Sequence, residues 1–208
     1  LVLESGSLSV ARRSRLGPVR MTVIDHFDLL APIYDLVIPP PDPERLRDLL
    51  RLPTRGRMLE AGGGTGRVSS QLTSLVDILV INDLSAPMLR EAQEKGTLHP
   101  VQSYVEQLPF PDVSFSRVFA VDAFHHFNDH HTALGELLRV LSPEGRLVIE
   151  EPDINRFPVK VVALLEKLTL MNSRFLSGER IRALVAAHGL EAQIGCLSDF
   201  ATCVVVDK

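Results

Sequence analysis

The chain of 208 residues is 45% hydrophobic and 23% charged, and its formal net charge is −4. This length fits one domain, and the apolar share excludes a disordered or fibrous chain. No apolar run approaches the ~18 residues of a membrane span. Two cysteines, Cys196 and Cys203, are too few for a disulfide scaffold, and an acidic balance argues against nucleic acid as a partner. We therefore expect a soluble cytoplasmic protein, monomer or homodimer, without integral membrane association.

Residues 1–20 differ in charge from the rest of the chain, since they carry four arginines and one acid. The chain begins with Leu1, and Met21 opens a segment that reads like a natural start. We interpret 1–20 as a leader that is either an upstream or vector-derived extension or a transit peptide. Residues 21–208 are then a single domain.

A helical cap over 21–50 comes first, with the apolar stretch Ile24–Ile38 and a short helix over Glu44–Leu50. Short strands alternate with helices over 55–151. The predicted strands are Met58–Glu60, Asp77–Ile81, Val101–Val105, Arg117–Val121 and Gly145–Glu150, and the predicted helices are Val68–Leu75, Ala86–Glu94 and Ala133–Val140. Such alternation indicates a parallel sheet with helices on both faces.

The final third has a different pattern. Residues 152–190 form a helical insertion or lid, with amphipathic helices over Val159–Leu170 and Gly178–His188. In 191–208, the strands Glu191–Leu197 and Ala201–Val206 are separated by only three residues, which demands an antiparallel hairpin. The prediction is an α/β fold with a mostly parallel seven-stranded sheet and one antiparallel strand.

A cluster of glycines follows the first predicted strand, in the run Glu60-Ala61-Gly62-Gly63-Gly64-Thr65-Gly66. Glycines let the backbone approach a ligand closely, and open α/β sheets bind ligands at the carboxyl ends of their strands. The helix predicted to start near Gly66 would present free N–H groups to a negative group. This segment is the candidate ligand site.

The spacing in this cluster excludes two nucleotide-binding motifs. Arg67 stands where Gly-x-Gly-x-x-Gly needs its third glycine, and no lysine is near enough for a P-loop. Glu60 would repel a pyrophosphate and suits a cationic or amine-bearing ligand. Asp83, at the end of the second strand, can accept from both hydroxyls of a ribose. The alternative is a structural glycine turn followed by a surface aspartate.

Five segments carry a resemblance to a known family. They are Phe27–Asp35, Met58–Gly66, Asp83–Leu89, Glu106–Phe110 with Ser114-Phe115, and Arg139–Leu147. In them the chain resembles the class I S-adenosylmethionine-dependent methyltransferases, particularly the ubiquinone/menaquinone-biosynthesis C-methyltransferases. The resemblance implies a Rossmann-like fold, S-adenosylmethionine as cofactor and S-adenosylhomocysteine as product, and an enzyme of class EC 2.1.1.-.

The resemblance also implies which residues contact the cofactor. Glu60 and the glycines would hold the methionyl end, Asp83 would hold the ribose, and residues after Asp83 would contact the adenine. The implied set is Glu60, Ala61, Gly62, Gly63, Gly64, Asp83, Leu84, Met88, Tyr104, Val105, Glu106 and Val121. Two positions depart from the family. Tyr104-Val105 stands where Asp-Ala is usual, and a tyrosine cannot accept from the adenine amine as a carboxylate does. Glu144 replaces the first glycine of a Pro-Gly-Gly turn.

Methyl transfer needs in-line placement of the acceptor, and a base where the acceptor must lose a proton. His125 and His126, after the fourth strand, are candidates for a base or substrate ligand. Tyr34 matches a family tyrosine near the sulfonium. The alternative is ordinary packing, of one histidine on the sheet and of Tyr34 in its helix, with His130 and His131 capping a helix start.

Three further patterns leave alternatives open. Glu150 and Glu151 end the fifth strand and are either solvated or functional. A metal site from His126, Asp129 and His130 lacks a cysteine or further acid, so we expect no metal. The apolar segment Val159–Met171 either covers the acceptor site or only packs on the sheet.

These patterns predict a methyltransferase that acts by direct displacement on a small, moderately lipophilic acceptor. The first alternative is a non-catalytic protein of the same fold that binds S-adenosylmethionine and regulates a partner, favoured by Tyr104 and Glu144. A nicotinamide oxidoreductase is a third reading, weakened by Arg67.

Overall fold

The computed structural model describes residues 26–37, 42–154, 173–196 and 201–208, and these contain seven strands. The strands are β1 (Arg57–Ala61), β2 (Ile78–Asp83), β3 (His99–Gln102), β4 (Phe115–Val121), β5 (Leu141–Pro152), β6 (Gln193–Cys196) and β7 (Ala201–Asp207). The predictions for 1–20 and for Val159–Leu170 concern residues outside the described ranges.

Six α-helices lie in the same ranges: α1 (His26–Leu30), α2 (Tyr34–Val37), α3 (Pro43–Leu50), α4 (Ala86–Glu94), α5 (His130–Val140) and α6 (Gly178–Ala187). Side chains cap four of them, α3 to α6, at the N-terminal positions where free N–H groups need acceptors. Ser85 Oγ accepts from the N–H of Met88, and Asp129 Oδ1 accepts from His131 and Thr132. Asp129 therefore caps α5, the role that the packing alternative gave to His130 and His131.

The strands form one sheet in the order β3-β2-β1-β4-β5-β7-β6. β7 pairs antiparallel with both β5 and β6, and the other pairs are parallel. This confirms the predicted seven-stranded sheet with one antiparallel strand. The chain moves outward from β1 through β2 to β3, then returns to β4 on the other side of β1. That reversal creates a crevice at the carboxyl ends of β1 and β4, where open α/β sheets bind ligands.

Helices cover both faces of the sheet, as predicted. On one face α5 and α6 bury Leu137 and Ile181 against Leu59 and Val118. On the other face α3 and α4 bury their leucines against a second cluster that includes Met58 and Ile81. The central strands are therefore apolar on both sides, and the strand ends are what remain for polar chemistry.

Two predicted elements are wrong in type or position. The predicted helix over 68–75 is a pair of 3₁₀ turns, Ser69–Gln71 and Thr73–Leu75. Gln71 Nε2 donates to the carbonyl of Arg67 at 3.0 Å, and such side-chain bonds to nearby backbone compete with a helix. The third strand ends at Gln102 and not at Val105, because residues 105–107 form a further 3₁₀ turn.

Candidate functional site

The glycine turn follows β1 and packs against the chain after β4. Gly62 has φ +69°, and a Cβ there would lie 2.6 Å from the Cβ of Ala123. A Cβ on Gly63 would lie 2.5 Å from Ile81 Cγ2. Because a side chain at either position would clash, the turn packs closely between β2 and the chain that follows β4.

Gly64 and Asp83, which the sequence predicts to share a ligand, are in direct contact. The N–H of Gly64 donates to Asp83 Oδ2 at 2.8 Å, and the N–H of Ser85 donates to Oδ1 at 2.8 Å. Gly64 has φ +53°, and a Cβ there would meet only Met88 Sδ, at 3.9 Å. The turn and the end of β2 thus frame an open space beside a fixed carboxylate. A carboxylate has about four acceptor positions, so it has capacity for ligand hydroxyls as well.

The predicted adenine contacts divide into exposed and buried groups. Tyr104 is 40% exposed and Leu84 is 41% exposed, whereas Met88 and Val105 are buried. Ala61 and Val121, at the ends of β1 and β4, are also buried. Glu106 Oε1 accepts from the N–H groups of Asn128 (2.8 Å) and Asp129 (3.1 Å). Glu106 therefore fixes the chain that leads into α5.

Glu60 is almost fully buried beneath the glycine turn, with 1% of its surface exposed. Its carboxylate accepts from the hydroxyl of Ser69. Burial raises the pKa of Glu60 to about 7, although the Ser69 hydroxyl and the nearby Arg67 oppose the shift. A buried carboxylate with so few donors is poised to bind a cation.

Arg67, Asp122 and Tyr34 form a polar group at the edge of the crevice. Arg67 Nη2 donates to Asp122 Oδ2 at 2.9 Å, and the Tyr34 side chain is hydrogen-bonded to Arg67. Burial raises the pKa of both Tyr34 and Asp122. Tyr34 is therefore a neutral donor near pH 7. The sequence interpretation used Arg67 only to reject a motif and passed over Asp122, whose place after β4 was the available signal.

His125 is buried in contact with Glu151. Its Nδ1 lies 2.6 Å from Glu151 Oε2, and its ring stacks on Phe175 with centroids 4.3 Å apart. Glu151 Oε1 accepts from the N–H groups of Ala123 (3.1 Å) and Phe124 (2.8 Å). One buried carboxylate thus fixes both the turn after β4 and the orientation of a histidine.

His126 lies beside His125, with ring centroids 3.9 Å apart. Its Nδ1 is 3.2 Å from Ser173 Oγ, and the ring of Phe27 contacts it edge-on at 4.9 Å. Burial, and to a smaller extent His125, lowers the pKa of His126 to about 3. His126 is therefore neutral near pH 7 and a weak base, and it can accept a hydrogen bond.

Glu150 and Glu151 are both buried, at 3% and 1% exposure, so neither is solvated. Glu150 forms an ion pair with Arg45 of α3 on the face opposite Glu151. Burial raises the pKa of Glu150, which Arg45 partly offsets. The two acids alternate across β5, and both faces of that strand are covered.

The N-terminal helices are tied to the glycine turn by polar side chains. Thr65 Oγ1 donates to Asp35, Lys95 Nζ donates to Asp35 Oδ2 at 2.6 Å, and Ser85 Oγ donates to Asp28 at 2.6 Å. The segment 26–37 is therefore fastened to the glycine turn and to α4, and its role as a cap stays a prediction.

No group of three or more ligand-type side chains in the described ranges is arranged to hold a metal ion. The three residues of the metal alternative are thus not brought together, and Asp129 is bonded to the start of α5. No helix in the described part of the chain is long and apolar enough to cross a bilayer.

Residues 59–149 match the methyltransferase domain family. Together with the strand order and the glycine turn, this match supports the assignment of a methyltransferase-type fold to that stretch. The family resemblance, the fold class and the cofactor class predicted from the sequence are confirmed.

Individual relatives agree with this assignment. The ubiquinone/menaquinone biosynthesis C-methyltransferase UbiE of Vibrio parahaemolyticus is 33% identical over 105 residues, 46% of this chain and 40% of that protein. The chain therefore spans about 40% of that curated relative. YcgJ of Bacillus subtilis has a TM-score of 0.65 at 28% identity, over 73% of this chain and 69% of YcgJ. A SAM-dependent methyltransferase of Aquifex aeolicus has a TM-score of 0.68 at 18% identity, over 86% and 95%, which is a likeness of fold.

Proposed function

We propose that the protein transfers the methyl group of S-adenosylmethionine to a small-molecule acceptor. The observation that carries the proposal is the contact between the Gly64 N–H and Asp83 at the crevice, within the stretch that matches the methyltransferase domain. The site, and not the fold alone, distinguishes the activity, because one fold hosts many activities.

The residues present fit S-adenosylmethionine. The space over Gly64, which a Cβ would fill, is bounded by Asp83 and Met88 and suits a ribose with a flat base beside it. The Asp83 carboxylate would accept from the ribose hydroxyls, Glu60 would bind the amine, and Leu84 and Met88 would contact the adenine. Tyr104, exposed at the same edge, would stack or donate there.

S-adenosylmethionine supplies a sulfonium-bound methyl group that a nucleophile can displace. The chain's own residues bind, orient and exclude water. Tyr34 and Arg67 would position the methionyl end, and His126 would accept a hydrogen bond from the acceptor. Because the pKa of His126 is about 3, the histidine that could remove a proton is His125, backed by Glu151.

The acceptor in this proposal is small and moderately lipophilic. Exposed apolar side chains of the N-terminal helices support it, since Leu36 is 86% exposed and Leu29 is 69% exposed. The printed name of UbiE concerns ubiquinone and menaquinone, which are lipophilic ring compounds. The proposal includes a cytoplasmic location, a monomer or homodimer, and no nucleic-acid partner, on the grounds of composition and charge.

The proposal is tested by calorimetric titration with S-adenosylhomocysteine, followed by radiolabelled methyl transfer to a panel of phenols, quinols and amines. We expect saturable micromolar binding, by analogy with typical enzyme–ligand affinities, and label in at least one acceptor. Absence of binding at millimolar ligand would overturn it.

A second candidate is a regulatory protein that binds S-adenosylmethionine without turnover. The burial of His125 and the low pKa of His126 favour it, because neither histidine is an exposed base. Binding of S-adenosylhomocysteine with no labelled product across the whole panel would support this candidate.

Substitution of Gly64 by alanine is expected to have two separate effects: backbone strain lowers the stability, and the added methyl group fills the proposed cofactor space. Gly64 and Gly189 both have positive φ and ample room for a Cβ, so each alanine variant should lose about 1–2 kcal/mol of stability from strain alone. Only Gly64→Ala fills the proposed cofactor space, so only it should weaken S-adenosylhomocysteine binding, by about tenfold or more. Chemical denaturation and calorimetry measure the two effects. Equal affinity of the two variants would contradict the placement of the cofactor.

A further inference from the structure

A cavity of about 650 Å³ opens between α5, α6 and the segment that precedes α6. It is separate from the Gly64–Asp83 space. Its walls include Arg174 and Arg180 on one side, Leu176 and Leu184 at the apolar part, and Asp129 and His130 at the start of α5. A cavity of this size accommodates a small organic molecule.

The two arginines that line this cavity lack acidic partners. Most arginines of the described residues are paired with carboxylates, namely Arg45, Arg47, Arg51, Arg55, Arg67, Arg139, Arg146 and Arg182. In the same ranges the guanidinium groups of Arg174 and Arg180 have neither a carboxylate partner nor a hydrogen bond. In a chain of net charge −4, two unpaired guanidinium groups on one cavity form a local positive site.

The rest of the lining is compatible with an anion that has an apolar part. The Asp129 carboxylate is the one acidic group among the described lining residues, and its charge is partly offset because Oδ1 accepts from two backbone N–H groups and Oδ2 from the Thr132 hydroxyl. His130 Nε2 is buried and has no hydrogen-bond partner among the described residues. The His130 ring lines the cavity, but protein covers this nitrogen, so it is not available to a ligand.

The cavity adjoins the histidine pair of the candidate active site. The N–H of Arg174 donates to the carbonyl of His125 at 2.8 Å, and Phe175, the next residue, stacks on the His125 ring. A ligand held by Arg174 therefore lies at the side of the crevice where the chain leaves β4.

We infer that this cavity binds the carboxylate or phosphate group of a small organic anion, through Arg174 and Arg180, with the apolar part of the ligand against Leu176 and Leu184. Guanidinium groups recognise both acidic groups through paired, charge-assisted hydrogen bonds. We identify this anion with the methyl acceptor, a step that rests on the proposed function. The acceptor would then have an acidic group as well as a lipophilic part.

The experiment is a ligand-detected NMR titration of the full chain with three matched probes. They are 4-hydroxybenzoate, its neutral amide 4-hydroxybenzamide, and phenyl phosphate. The protein variants are Arg174→Gln, Arg180→Gln and, as the matched control, Arg182→Gln, which changes an exposed arginine of the same helix that pairs with Glu179 outside the cavity. Binding of S-adenosylhomocysteine is measured on the same samples.

We expect at least one anionic probe to bind about fivefold or more tightly than the amide, and each cavity variant to remove most of that difference. The preferred anion tells a carboxylate ligand from a phosphate ligand. Arg182→Gln should behave as the parent protein. The inference is overturned if amide and anions bind alike, if no probe binds, or if Arg182→Gln loses as much as Arg180→Gln. Failure of S-adenosylhomocysteine to bind would instead refute the proposed function.

Discussion

Glu60→Gln is expected to weaken the binding of S-adenosylhomocysteine about a hundredfold at pH 8. The buried carboxylate beneath the glycine turn is the group proposed to bind the ligand amine, and losing one partner of a buried charged pair costs about 2–5 kcal/mol. Glutamine keeps the shape and can still accept from the Ser69 hydroxyl. Calorimetric titration of the variant and the parent measures the difference. Glu94→Gln, on the exposed side of α4, is the control and should change nothing.

The same group should make cofactor binding depend on pH. Because the pKa of Glu60 is about 7 in the free protein, its carboxyl group is mostly protonated at pH 6 and mostly ionised at pH 8. Affinity for the amine ligand should therefore rise about tenfold between these pH values, and Glu60→Gln should show no such rise. Parent affinity that is flat from pH 6 to 8 would refute the role of Glu60.

Ionisation of the buried Glu60 carboxyl group also lowers the stability of the ligand-free fold. Its folded pKa lies above the unfolded value of 4.5, so the native state holds this proton more tightly. The associated stability is present below pH 4.5 and is lost as the pH rises through about 7. Binding of a cationic ligand offsets this loss at neutral pH, because it favours the ionised carboxylate.

Glu151→Ala is expected to destabilise the protein by about 3–5 kcal/mol, which is the largest stability effect we predict. The substitution removes the acceptor of two backbone N–H groups and of the His125 ring, all of them buried. Urea denaturation measures the free energy of unfolding. Glu151→Gln retains an oxygen acceptor and should lose less.

A matched control for this substitution is Glu191→Ala, since Glu191 is exposed. It should lie within about 0.5 kcal/mol of the parent, as expected for a surface change. If Glu151→Ala also stayed within about 1 kcal/mol, the buried carboxylate would not hold the turn after β4.

The sheet was predictable because its signals are local. The run Asp77–Ile81 is a strand by its β-branched residues, and the short connection before Ala201 permits only an antiparallel return. Pro87, with Ser85 before it, starts α4 where the sequence expects a helix. The segment 68–75 was not predictable from apolar spacing, because Ser69 turns toward the buried Glu60 and Gln71 toward the backbone.

The motif pointed to residues that the fold brings together, whereas it held no information on burial. Gly64 and Asp83, which the sequence analysis assigned to one ligand, are in contact, and their roles toward that ligand stay predictions. The burial of Glu150 and Glu151 was missed, although two adjacent acids at the end of a central strand must point to opposite covered faces. The pairing of Arg67 with Asp122 joins residues 55 positions apart, and neither local pattern nor composition contains that information.

Glu144 illustrates a departure from the family pattern that the backbone explains. It has φ +60°, a conformation in which glycine is unstrained and glutamate is not. Its N–H donates to the carbonyl of Lys208 at 2.7 Å, so this position is held by the residue that follows β7. The departure concerns a turn at the far end of the sheet, away from the crevice.

The segment 26–37 is attached partly through an ion pair, whereas the sheet is held together by hydrophobic packing. Lys95 and Asp35 form a half-exposed ion pair, of a class worth about 0–1 kcal/mol and weakened by salt, whereas the sheet beneath is joined by buried apolar surface. Added salt should therefore weaken this one link of the segment, while its hydrogen bonds to Thr65 and Ser85 and the sheet beneath stay intact. The ionic link beside the glycine turn responds to ionic strength, whereas the persistence of the crevice depends on hydrophobic packing.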